Sequence, residues 1–317
     1  MTGKLILIVS LFVCFACANS TKEKPASKQR VIVSTDIGGT DPDDNQSMIH
    51  LLMYADLFQI EGLVSSPYGE GRKENILEMI DLYEKDLDKL QEHADFPEAN
   101  SLREVCKQGE ILGAPFKGYR QATEGSNWII KCAKEENEQP LWILVWGGLE
   151  DLAQALHDSP EIEERIRVYW IGGPNKKWSV NAYNYIAENH PDLWMIEANA
   201  TYRGWFMELN SPKNLTNEAY YSNFIKGRGE LGKAFKNYYK GEIKMGDTPS
   251  LVYLMNGDSN DPSGESWGGS FTPIKQSSKT IFKRNTTILD TVVAYETLEW
   301  HFAGPELSIP EDSVCFT

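Results

Sequence analysis

The sequence has few cysteines and few basic residues. Behind the N-terminal segment only Cys106, Cys132 and Cys315 remain, with no Cys-x-x-Cys pair and no histidine at metal-ligand spacing. This distribution predicts neither a disulfide framework nor a zinc site. Lysine and arginine number 31 against 46 aspartates and glutamates, a formal net charge of -15 at pH 7. Because such a charge repels a phosphate backbone, nucleic acid is not expected as a partner.

A hydrophobic run long enough to cross a membrane is also missing from the N-terminal segment. The apolar run Leu5 to Ala18 follows Lys4 and stops at Thr-Lys-Glu-Lys-Pro, which is typical of an export signal. Ala16 directly before Cys17 resembles a loose lipobox, so we expect residues 1–17 to be a signal peptide. Its cysteine would carry a lipid anchor that holds an exported protein at the membrane, in the periplasm or at the cell surface. Ordinary signal cleavage nearby is the alternative.

Beyond a polar linker, residues 18–29, apolar runs alternate with stretches of helical periodicity. The runs that predict strands are 31–35, 60–66, 141–146, 168–171 and 193–197. Glycines follow the strands that end at Trp146 and Ile171. This order predicts an α/β domain over residues 30–275, with a mostly parallel, Rossmann-like sheet covered by helices on both faces. Ligands of such a sheet bind beyond the carboxyl ends of its strands.

The composition of the sequence changes near the C-terminus. Threonine, serine and short alternating apolar runs predict a small β-strand module over residues 276–317. Its last residues, Ser313 to Thr317, resemble the middle of a strand, so we expect the module to be truncated.

An acidic loop follows the first predicted strand. Four aspartates stand within nine positions there: Asp36, Asp41, Asp43 and Asp44. Carboxylates packed this closely repel one another and need a counter-charge. Calcium takes six to eight oxygen ligands, and the loop has no nitrogen or sulfur ligand that would favour zinc. The alternative is a solvated acidic loop in which an aspartate caps the following helix.

Several segments, in order along the chain, resemble the nucleoside hydrolases. The opening Val-Ile-Val-Ser-Thr-Asp-Ile-Gly-Gly-Thr-Asp-Pro-Asp-Asp resembles their strand and Asp-Pro-Gly-x-Asp-Asp loop, with extra residues between. Trp146-Gly-Gly-Leu-Glu-Asp, Ile171-Gly-Gly-Pro and Gly246-Asp-Thr-Pro are similar to three later segments of that family. With Trp267-Gly-Gly, the chain resembles more closely the nucleoside-hydrolase-like domain family also described as cellulose-binding, over roughly residues 30 to 275.

The resemblance implies a calcium-dependent hydrolase of glycosidic, N-glycosyl-type bonds in a nucleoside-like or saccharide substrate. It implies that Asp36 is the base that takes a proton from the attacking water. The implied calcium ligands are Asp36, Asp44, Glu150 and Asp247. Glu150 would contribute its backbone carbonyl, and the sequence leaves open whether its carboxylate adds to it. The implied substrate-binding residues are Asp43, Asn184 and Asp247. We also expect Trp267 to bind substrate, because aromatic side chains near such loops stack on sugar rings; packing in the core is the alternative.

Two departures from the nucleoside hydrolases keep a second hypothesis open. Gly246 stands where those enzymes have a histidine near the leaving base. Asn181-Ala-Tyr-Asn184 stands near their Glu-Phe-Asn sugar clamp, and only Asn184 keeps a matching amide. The acid that protonates the leaving group is therefore unassigned. The alternative function is a non-catalytic carbohydrate-binding lipoprotein, for cellulose or another polysaccharide, that retains the fold.

Overall fold

A computed structural model describes residues 28–66, 72–207 and 216–272. The predicted export signal, the lipid anchor at Cys17 and the β module at 276–317 lie outside these residues. Within the described ranges, no helix is long and apolar enough to cross a membrane.

Six parallel strands form one sheet in the described part of the chain. They are β1 (Gln29–Thr35), β2 (Phe58–Ser65), β3 (Cys106–Gln108), β4 (Leu141–Val145), β5 (Ile166–Ile171) and β6 (Met195–Ala198). Their order is β3-β2-β1-β4-β5-β6, with every pairing parallel. This is the doubly wound Rossmann order, which reverses between β1 and β4. The predicted α/β sheet is confirmed, and only the short, polar strand β3 lacks an apolar run that predicts it.

Helices connect the strands and cover both faces of the sheet. They are α1 (Asp43–Met53), α2 (Lys73–Gln91), α3 (Ala99–Glu104), α4 (Glu124–Lys134), α5 (Glu150–Asp158), α6 (Asn175–Trp178), α7 (Val180–Asn189), α8 (Asn217–Tyr220), α9 (Gly229–Ala234) and α10 (Thr248–Met255). A π-helical segment, Tyr221–Ile225, follows α8, and a 3-10 turn, Tyr239–Gly241, precedes α10.

Alternate residues of the central strands are buried in two separate cores. Trp142 and Leu144 of β4 pack in the core that contains the apolar residues of α1 and α2. Ile143 and Val145 of the same strand pack in the core that contains those of α4, α5 and α7. Burial on both faces explains why the strands read as continuous apolar runs. Because both faces of the sheet are covered, a ligand can bind only at the loops beyond the ends of its strands.

Candidate active site

The acidic loop leaves the sheet where the strand order reverses. Asp36 is the first residue after β1, and its carbonyl accepts a hydrogen bond of 2.9 Å from the amide of Gly39. Gly38, inside this turn, has a φ of +90°, which residues with a side chain rarely adopt. A Cβ added at Gly147, just past β4, would lie 2.7 Å from the carboxyl carbon of Asp36. The Asp36 side chain therefore lies in the crevice between β1 and β4.

Three carboxylates from two distant parts of the sequence meet beside this turn. Asp43 and Asp44 are the first residues of α1, and Asp247 directly precedes α10. One carboxylate oxygen of each lies within 4.8 Å of the others. The two helices pack together, which brings segments about 200 residues apart into one cluster. We call Asp43, Asp44 and Asp247 the acidic cluster.

The three carboxylates of the acidic cluster differ in their hydrogen bonds. The Thr35 hydroxyl donates to Oδ1 of Asp44, and the amide of Asp44 donates to Oδ1 of Asp43 over 3.1 Å. Asp247 is 1% exposed, and among the described residues neither of its carboxylate oxygens has a hydrogen-bond partner. A buried carboxylate without a partner is costly. A cation held by the cluster would remove that cost.

Burial and mutual repulsion raise the pKa values in this region. The pKa of each carboxyl group in the acidic cluster is raised well above its usual range, first by burial and then by the charges of neighbouring aspartates. Burial and the charge of Asp41 raise the pKa of Asp36 to about 6, although a hydrogen bond with Asp44 opposes the shift. Burial lowers the pKa of Lys244, but a hydrogen bond with Glu242 and the charges of Asp41, Glu242 and Asp43 outweigh this effect and raise that pKa. Ionisation of all three carboxyl groups together is therefore costly unless a further positive charge is bound among them.

The donor set of the cluster fits a hard cation. All its potential ligand atoms are carboxylate oxygens, and no histidine or cysteine belongs to the group. Hard cations such as calcium prefer oxygen ligands, whereas zinc and copper sites in proteins use nitrogen and sulfur. The structure thus brings together Asp44 and Asp247, two ligands implied by the resemblance, and adds Asp43, for which the sequence predicted a substrate contact.

The Glu150 carboxylate lies outside the acidic cluster. Its Oε1 accepts a hydrogen bond of 3.2 Å from the amide of Ala114, and its Oε2 accepts one of 3.0 Å from the Ser179 hydroxyl. Burial raises the pKa of Glu150 to about 7. The side chain therefore ties the loop before α4 to the residue that precedes α7. The backbone carbonyl of Glu150 stays a predicted cation ligand, and these hydrogen bonds direct its carboxylate to Ala114 and Ser179.

Asn184 and Trp267, the other two predicted substrate-binding residues, have opposite environments. Asn184 is fully buried on α7, whereas Trp267 is 57% exposed in the loop after α10. The carbonyl next to this tryptophan, that of Gly268, accepts a hydrogen bond of 2.6 Å from the buried Tyr169 hydroxyl. The Trp267 ring is thus held at the surface on a fixed backbone. The substrate contacts of both residues stay predictions.

Tyr239 approaches the acidic loop, although the sequence does not single it out. Its hydroxyl donates a hydrogen bond to the carbonyl of Gly39. Tyr239 and Lys240 have φ values of +44° and +61°, a left-handed conformation that costs about 1–3 kcal/mol per residue outside glycine. Burial and the charges of the nearby aspartates raise the pKa of Tyr239, so its hydroxyl stays protonated. No local pattern signals this contact, because it joins residues 200 positions apart.

The family model described as "Cellulose-binding Sde182, nucleoside hydrolase-like domain" matches residues 30–271. No curated protein matches the chain. Among solved structures, the chain is similar to a nucleoside hydrolase-related hypothetical protein from Saccharophagus degradans that is associated with carbohydrate metabolism. The two share 26% sequence identity with a TM-score of 0.67, over 84% of this chain and 64% of that one. This chain therefore spans less than two thirds of the length of that protein.

Solved structures of nucleoside hydrolases are also similar to this chain, at lower sequence identity. The inosine-uridine preferring nucleoside hydrolase from Bacillus anthracis shares 18% identity over 71% of this chain and 81% of that one, with a TM-score of 0.46. The plant nucleoside hydrolase PpNRh1 shares 15% identity over 80% of this chain and 85% of that one, with a TM-score of 0.47.

Proposed function

Because this chain belongs to the cellulose-binding Sde182, nucleoside hydrolase-like domain family, we propose that it is a calcium-dependent hydrolase of a glycosidic, N-glycosyl-type bond. Its substrate is nucleoside-like or a saccharide. The observation that carries the proposal is the Asp247 carboxylate, which is 1% exposed and without a hydrogen-bond partner in the described residues. It faces Asp43 and Asp44, with a carboxylate oxygen of each within 4.8 Å.

In this proposal the acidic cluster would hold the ion through its carboxylate oxygens. Asp36 and the backbone carbonyl of Glu150 are further predicted ligands. Three clustered carboxylates favour calcium over magnesium, because protein sites for magnesium usually offer only one or two. When bound, the ion supplies Lewis acidity and a fixed positive charge that orients sugar hydroxyls.

Asp36 is the proposed general base. In the cation-free protein the pKa of Asp36 is about 6, so its carboxylate is ionised at neutral pH, and a bound cation would favour the ionised form further. The water oxygen attacks the anomeric carbon as its proton moves to Asp36, and the leaving group departs with the electron pair of the glycosidic bond. In the transition state of this step, positive charge develops on the sugar ring. The neighbouring carboxylates stabilise that charge electrostatically.

Carbohydrate binding without turnover is the second candidate, and Gly246 favours it. A Cβ added at Gly246 would lie 2.9 Å from Oδ2 of Asp43, so a larger side chain there would require the Asp43 carboxylate to move. The position at which the nucleoside hydrolases have a histidine therefore supplies no side chain here that could protonate a leaving base. The exposed Trp267 ring and the cellulose-binding description of the family support this candidate as well.

Substitution of Asp36 by asparagine separates the two candidates. With saturating calcium and a panel of nucleosides and glycosides, we expect wild-type protein to release free sugar. Loss of the base should reduce that rate by about 100-fold or more in a variant that still folds. Asp41→Asn is the matched control, since it removes the same charge from the same loop. If wild-type protein releases no sugar while its cellulose affinity is unchanged by Asp36→Asn, the binding function is the correct one.

A further inference from the structure

The inner face of α1 is polar where it packs against residues 235–248, which we call the late segment. Gln46 is fully buried, and its amide nitrogen donates to the carbonyls of Phe235, over 3.1 Å, and Glu242, over 2.7 Å. Its amide oxygen accepts a hydrogen bond of 2.8 Å from the amide of Lys244. All three bonds reach backbone atoms about 190 to 200 residues later. Gln46 therefore acts as a single anchor for the segment 235–244.

Ser47 and His50 of α1 also hold the late segment, at Thr248. The Thr248 hydroxyl lies 3.0 Å from the Ser47 hydroxyl and 2.8 Å from Nδ1 of His50. Thr248 is 2% exposed and directly follows Asp247. The helix that begins with Asp43 and Asp44 thus also holds the segment that carries Asp247.

We propose that Gln46, Ser47 and His50 are positioning residues that set Asp247 against Asp43 and Asp44. The inference rests on the proposed function, since it assigns these residues to the proposed cation site. Repulsion between the carboxylates pushes the late segment away from α1, so another interaction has to hold it. A buried polar network with all its bonds formed specifies one arrangement, whereas apolar side chains can repack.

Two substitutions test the network, and a third is the control. Gln46→Leu removes three hydrogen bonds at similar volume. Thr248→Val removes the hydroxyl that Ser47 and His50 share and keeps the side-chain shape. The control Tyr83→Phe removes a hydrogen bond of 2.7 Å from a buried tyrosine on α2 to the carbonyl of Pro97.

The first measurement is amide hydrogen exchange of the full chain in a chelator, which does not depend on a cation. We expect the peptide 243–249 to exchange about fivefold faster or more in Gln46→Leu and in Thr248→Val. Tyr83→Phe should leave that peptide as in the wild type. Wild-type exchange of this peptide in Thr248→Val would overturn the inference, and this variant decides the question if Gln46→Leu does not fold.

The second measurement is calcium affinity by titration calorimetry. A purely structural anchor lowers the melting temperature without changing affinity, whereas a positioning residue changes affinity. We expect Gln46→Leu to weaken calcium binding about tenfold or more, and Tyr83→Phe to leave it unchanged. A wild-type dissociation constant in both Gln46→Leu and Thr248→Val would also overturn the inference. If wild-type protein binds no calcium, the proposed function fails, and the exchange measurement still decides whether α1 positions Asp247.

Discussion

Replacement of Asp247 by asparagine tests the charge balance of the acidic cluster. The substitution keeps the shape of the side chain and removes one charge from a group that is 1% exposed and lacks a hydrogen-bond partner in the described residues. In a chelator, we expect Asp247→Asn to be more stable than the wild type, because Asp43 and Asp44 no longer repel a third carboxylate. In calcium, we expect the reverse order, because the variant has lost a ligand.

The expected magnitudes follow from burial and from ligand linkage. Asparagine is also unpartnered at this position, so the gain comes from the charge alone and is about 1–2 kcal/mol. For a domain of this size, 1 kcal/mol shifts the melting temperature by about 2–4 °C, so the variant should melt about 2–8 °C higher in chelator. Calcium at 100 times its dissociation constant should stabilise the wild type by about 2.7 kcal/mol, or about 5–11 °C. The variant should gain much less.

Thermal melting at pH 8, with and without calcium, measures both shifts. Asp86→Asn is the matched control, because its carboxylate accepts hydrogen bonds of 2.9 Å from the amides of Glu230 and Leu231 outside the cluster. That variant should melt below the wild type in both solutions. The charge argument is refuted if Asp247→Asn melts below the wild type in chelator. It is also refuted if calcium stabilises the variant as much as the wild type.

Three further predictions concern pH, Glu150 and Trp267. In chelator, the melting temperature should fall as the pH rises from about 5 to about 8. The pKa of Asp36 is about 6, and the pKa values of the acidic cluster are raised as well, whereas an aspartate of the unfolded chain has a pKa of about 3.9. The folded protein then holds protons that the unfolded chain releases, and melting curves in saturating calcium should show a weaker fall. Glu150→Gln should change the calcium affinity in calorimetry by less than about threefold, because this carboxylate is bonded to Ala114 and Ser179; a larger loss would make it a ligand. Trp267→Ala should weaken binding to soluble cello-oligosaccharides about fivefold in affinity electrophoresis without lowering the melting temperature, and unchanged binding would remove this ring from the binding surface.

Patterns between neighbouring residues were sufficient to predict most of the sheet. β4 is predicted by a continuous apolar run because both of its faces are buried, and α1 by residues at helical spacing. β3 was not predicted, because its three residues, Cys-Lys-Gln, have neither an apolar run nor alternation. The position of Asp36 beyond a buried strand also follows from local pattern, since it needs only the chain order of strand and loop.

Chain order alone was enough to predict several carboxylates at the end of the first strand and a further aspartate late in the chain. The packing of the helices was needed to show that Asp43 joins Asp44 and Asp247, and that the Asp247 carboxylate has no hydrogen-bond partner among the described residues. Tertiary contacts also direct the Glu150 carboxylate to Ala114 and bring Tyr239 to the acidic loop. These contacts cannot be predicted from chain order, because hydrogen bonding and charge repulsion depend on distances in space. Residues about 200 positions apart come within those distances only when α10 packs on α1.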